Sequence, residues 1–119
     1  MIATVLLQIV LVGQVAVSDA DIVIRAATEA LREMEIPPAE WYRLTKNTRV
    51  ESVPHQIICS TLGFRAGCFI GQDYSDGKKT VTIKYQAKKL EWEREAILLH
   101  EFRHAVGWLY FDDGDTHGR

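Results

Sequence analysis

Residues 90–111 read LEWEREAILLHEFRHAVGWLYF. From Lys89 to about Phe111 only Gly107 weakens a helix, and apolar or site residues recur at 97, 100, 101, 104, 108 and 111, as on one helical face. Glu91, Glu93 and Glu95 crowd the start, where the helix dipole favours carboxylates. The pattern predicts one long helix. Within it stands His100-Glu101-Phe102-Arg103-His104, an H-E-x-x-H pattern. At 3.6 residues per turn, side chains four apart project side by side, so two imidazoles can close on one zinc ion. Glu101 lies about 100° round the helix from His100, beside such an ion without binding it, where it can take a proton from a zinc-bound water. Two ordinary core histidines would leave a charged Glu101 unexplained next to the apolar run Ala96-Ile97-Leu98-Leu99, since burying an unpaired carboxylate is costly.

Upstream the period shortens. RVESV (49–53), QIICSTL (56–62), AGCFIGQ (66–72) and KTVTIKYQ (79–86) are short β-rich runs separated by glycines and a proline. Asp76-Gly77 is a tight-turn signal that makes a hairpin of the last two. Val81, Ile83 and Tyr85 alternate with Thr80, Thr82 and Lys84, which predicts a strand with one buried and one wet face. Further back, Ile22, Ala26, Ala27, Ala30, Leu31 and Met34 have helical spacing over 19–35, with Ser18 and Asp21 placed as in a capping box. Pro37 and Pro38 stop that helix, and PAEWYRL (38–44) can open a second, short one. The expected class is α+β: an N-terminal helix, a small antiparallel or mixed sheet, and a long helix carrying H-E-x-x-H.

With 119 residues the chain suffices for one hydrophobic core. A formal net charge of −2 gives no general attraction to nucleic acid or an anionic membrane. Lys78, Lys79, Lys84, Lys88 and Lys89 could form a local positive strip beside the site, although a solvated face explains them as well. Two cysteines, Cys59 and Cys68, are too few for a four-thiolate zinc ribbon; buried reduced thiols are expected, with a hairpin disulfide as the alternative if the chain is exported. Residues 1–17 are apolar apart from Gln8 and Gln14, and suit a signal peptide, a membrane anchor or a buried element; no Lys or Arg precedes the run, and it is short for a span. The folded domain is expected over 18–119.

A catalytic zinc site normally takes three protein ligands and keeps one open position. No glutamate follows Glu101, and the extended pattern with a third histidine six residues on meets Tyr110 instead. Asp112, Asp113, Asp115 and His117 remain downstream, with His55 upstream. His117 can reach: a helix ending near 110 stops roughly 9 Å beyond His104, and the seven residues 111–117 span up to about 23 Å.

HEFRHAVGWLYFDDGDTHG (100–118) resembles the SprT-like (Spartan-type) zinc metalloproteases, whose site reads H-E-x-x-H-A, often W-L, then D-x-H-G. His104-Ala105, Trp108-Leu109 and Asp115-Thr116-His117-Gly118 match in order and spacing; Ala66-Gly67-Cys68 and VTIKYQAKKL (81–90) match more loosely. The firm part covers residues 96–118. The resemblance implies a minimal zincin that hydrolyses peptide bonds, with zinc held by His100, His104 and His117, Glu101 as general base, and Asp115 orienting a ligand imidazole. It also implies a protein or peptide substrate, DNA-associated proteins among them, and a cytoplasmic setting; residues 1–17 point instead to a secreted or anchored chain. Family members continue into a further helix, and many carry a cysteine-rich zinc ribbon. The rival functions are a non-catalytic zinc-stabilised DNA- or protein-binding module and a secreted zincin of another clan. An extended substrate is expected along an edge strand near 80–86, with Tyr74, Tyr85 or Tyr110 as candidate oxyanion donors.

Overall fold

The computed structural model describes residues 19–54, 57–58 and 64–113. Helix α1 spans Ala20–Glu33, a 3-10 turn Pro38–Glu40, and helix α2 Tyr42–Asn47; strands β1 to β5 cover Thr48–Val53, Ile57–Ile58, Phe64–Arg65, Gly67–Asp73 and Lys79–Gln86, and helix α3 covers Glu91–Phe111. The α+β class stands, with the sheet mixed: β1 runs parallel to β5, β4 antiparallel to it, and β2 and β3 form a separate two-stranded ribbon.

The alternation in β5 does what its sequence predicts. Val81, Ile83 and Tyr85 are buried while Thr80, Thr82 and Lys84 stay half-exposed. Across the hairpin they face Gly71, Phe69 and Gly67 of β4, so these three share the covered face of the sheet. The turn follows from Gly77, whose φ of +85° suits a residue without Cβ, and from Asp76, whose carboxylate accepts from Lys78 N at 3.0 Å. One expectation fails. Residues 80–86 form the central strand between β1 and β4, so the edge strand nearest α3 is β4.

α3 packs on β4 and β5, and α1 packs on α3. The two helices run in the same direction: Arg25 of α1 reaches Glu95 at 2.9 Å, and Arg103 bridges Glu33 through two bonds of 2.7 and 2.9 Å. The buried stripe of α1 holds the expected Ile22, Ala26, Ala27, Ala30 and Leu31 together with Val23 and Ile24, while Met34, expected with them, is the C-cap residue and only half-buried. The helix ends in a Schellman motif, with Ile36 N donating to Leu31 O at 3.0 Å, and Glu35 occupies the left-handed position at φ +59°. The expected capping box rests on Ser18, outside the described residues; Asp19 is the N-cap residue and makes no side-chain cap. Its carboxylate is committed elsewhere, accepting from the Tyr85 hydroxyl at 2.6 Å and pairing with Arg94 at 3.2 Å. Burial, and then the bond to Asp19, raise the Tyr85 phenol well above its ordinary range.

α3 departs from the predicted single face. Its core stripe is Leu98, Phe102, Ala105, Val106 and Leu109, whereas positions 97, 100, 104, 108 and 111 are only half-buried or exposed. The last turn is clamped by the segment before β1: Arg43 donates to Leu109 O at 2.7 Å, and the Tyr110 hydroxyl donates to Glu40 O at 2.6 Å while accepting from Leu44 N at 3.2 Å. Asp112, at φ +56°, turns the chain out of the helix. The expectation of reduced thiols also fails, because Cys68 is disulfide-bonded and the chain's only other cysteine is Cys59, outside the described residues. No helix among the described residues is long and apolar enough to cross a membrane.

Candidate metal centre

One turn of α3 brings together His100, Glu101 and His104, with a ligand atom from each lying within 4.8 Å of the others. The two Nε2 atoms are 3.3 Å apart and the rings meet edge to face at 4.9 Å between centroids. That separation suits a hydrogen bond between rings of opposite tautomer. It also fits a shared ion: two nitrogens each about 2.05 Å from one tetrahedral centre lie about 3.3 Å apart. On donor chemistry and on spacing, the pair fits zinc.

The surroundings differ on the two sides. His100 is exposed and His104 half-buried, stacked on Phe69 of β4 at 5.5 Å between centroids and 25° between planes. Glu101 lies at the helix–sheet junction beside Gly67 and is 8% exposed, with a carboxylate oxygen still within 4.8 Å of the imidazole nitrogens. Burial alone pushes its carboxyl up to about 7. A dication at the imidazoles acts in the opposite direction and favours the carboxylate.

β4 makes this geometry possible. It runs beside α3 in the same direction, Gly67 against Ile97 and Glu101, Phe69 against His104, Gly71 against Trp108. A Cβ on Gly67 would sit 2.4 Å from Ile97 Cγ2 and 3.0 Å from Glu101 Oε2; one on Gly71 would sit 3.0 Å from the Trp108 ring. The covered side of β4 therefore reads small, aromatic, small. Both glycines fall inside the β-rich run AGCFIGQ, where the sequence reading gave them no packing role. Their spacing of four within a strand was the available signal, since a glycine inside a strand marks close approach by another element.

Other candidates divide. Asp115, His117 and His55 lie outside the described residues. The Asp112 carboxylate pairs with Lys79, whose ammonium also lies 4.5 Å from the Trp108 ring centroid. Lys84 pairs with Glu51 at 3.9 Å on the half-exposed face of the sheet, so the lysines expected in one strip are split between different surroundings. The hydroxyls of Tyr85 and Tyr110 are engaged within the fold, and Tyr74 lies at the hairpin tip with its hydroxyl on Gln72 at 3.2 Å. Compared with known proteins, the chain matches no family model, no curated protein and no solved structure.

Proposed function

We propose that the chain is a zinc-dependent metallopeptidase of the SprT-like, zincin type, in which His100 and His104 hold the ion and Glu101 is the general base. The observation that carries this reading is the 3.3 Å pairing of two imidazoles beside a buried carboxylate on one turn of helix. His117 is the third ligand on this reading, with Asp115 orienting an imidazole.

Zinc, when bound, supplies Lewis acidity and a nucleophile at neutral pH. The rest of the work falls to the chain. His104 is held in orientation by Phe69, so one ligand is fixed before the ion arrives. Glu101 takes up and releases a proton at a carboxylate oxygen that helix and strand keep out of bulk water. β4, the edge strand beside the two histidines, offers its backbone to an extended peptide, as in strand addition. The disulfide at Cys68 favours the exported form of this enzyme over a cytoplasmic one.

Metal analysis together with hydrolysis of an unstructured protein such as casein tests the proposal. Wild type should bind one zinc per chain and cleave. Glu101→Gln should keep the zinc and lose at least about 100-fold in rate. His117→Ala should lose metal affinity. A wild type that binds zinc tightly yet cleaves nothing, and is indistinguishable from Glu101→Gln, would make the chain a zinc-stabilised binding module.

A further inference from the structure

We propose that the end of the domain where α1 and α3 both begin is a membrane-interface surface, with Leu90 and Trp92 entering the headgroup layer of a lipid bilayer. This inference is independent of the metal-centre reading. Leu90 is 62% exposed and Trp92 69%, the two most exposed large apolar side chains among the described residues, and Ala96 is exposed one turn further along α3. A single exposed apolar side chain is ordinary on a protein surface. Here the position adds meaning. The Arg94 guanidinium donates to Lys89 O at 2.6 Å and pairs with Asp19 at 3.2 Å, so the approach to α3 and the start of α1 are held on one group.

The chain enters α1 from residues 1–17, which hold no Asp, Glu, Lys or Arg and are apolar but for Thr4, Gln8, Gly13 and Gln14. An uncharged apolar segment therefore joins the domain where Leu90 and Trp92 are presented to solvent. A tryptophan suits the boundary between apolar and aqueous layers, because its ring is apolar and its N–H seeks a partner. Charge selects the kind of bilayer. Lys88 and Lys89 are offset by Glu91 and Glu93 within the same six residues, so apolar burial rather than attraction to anionic lipid drives contact.

Flotation of the full chain with neutral phosphatidylcholine vesicles, at low and at high salt, tests this against the double variant Leu90→Ser/Trp92→Ser. The wild type should float equally at both salt concentrations. The variant should partition about tenfold more weakly and unfold at a midpoint no lower than that of the wild type, since both side chains are exposed and Ser suits the N-cap position that Leu90 occupies. Equal flotation of variant and wild type would overturn the proposal by assigning binding to residues 1–17 alone. Flotation that needs anionic lipid and vanishes with salt would also overturn it, as would a wild type that ignores vesicles but forms a dimer broken by the same substitutions.

Discussion

Gly67→Ala is the sharpest test of how β4 supports α3 at the candidate site. The new methyl would lie 2.4 Å from Ile97 Cγ2 and 3.0 Å from Glu101 Oε2. Carbon atoms in contact settle at about 3.5–4.0 Å, so strand and helix must separate by roughly 1 Å, or Ile97 must leave its rotamer. Overpacking of this kind costs about 2 kcal/mol, which in a domain of this size lowers the midpoint by roughly 8 °C. Urea denaturation of four proteins reads it out: wild type, Gly67→Ala, Ile97→Ala and the double variant. Ile97→Ala removes the clashing methyl, so the two penalties should fall short of additivity by about 1 kcal/mol. A Gly67→Ala protein within about 0.3 kcal/mol of wild type, or penalties that simply add, would refute the close approach on which the account of Glu101 burial depends.

Zinc at a hundred times its dissociation constant should raise unfolding stability by about 2.7 kcal/mol, and His100→Ala/His104→Ala should abolish the rise in a thermal-shift assay. Glu35→Gly should stabilise the domain by about 0.5–1 kcal/mol, because glycine removes the cost of a left-handed side chain at φ +59°; calorimetry showing a lower midpoint would contradict this. Tyr85→Phe should cost about 2 kcal/mol by taking the donor from one oxygen of the buried Asp19 carboxylate, while Arg94 stays on the other. Because the folded-state pKa of Tyr85 is raised, the stability it contributes is complete below the unfolded tyrosine value and is lost as pH climbs toward the folded one; the variant's alkaline limb should be flatter. The Arg103–Glu33 pair should couple by about 0.5 kcal/mol in a double-mutant cycle, discounted for its exposure. Glu33 is held below the ordinary carboxylate range by Arg103, so that coupling should persist down to the ordinary range and disappear as pH falls through the depressed value.

Much of the fold was legible because single patterns decided it. KTVTIKYQ became β5 end to end, since alternation and a flanking Asp-Gly turn agree there. Helix α1 ran from 20 to 33 against an expected 19–35. What failed depended on partners distant in sequence. Neither the central place of β5 nor the role of Gly67 can be read locally, because each is set by β1 or α3 arriving at its side. α3 misled for a related reason: it is covered on two flanks, one by the core and one by β4, and a helix with two apolar flanks has no single stripe. The grouping of His100, Glu101 and His104 was legible because a candidate metal site on one helical turn is a local object. Phe69 was not, because its stacking partner lies 35 residues away.

Helices α1 and α3 lie side by side at a constant sequence offset of 70 residues, as Arg25–Glu95 and Glu33–Arg103 both show. On a translating ribosome the first helix therefore emerges long before its partner exists. At about 5–20 residues per second its apolar stripe waits roughly 4 to 14 s uncovered, an interval in which a holding chaperone or a targeting factor has first access to it.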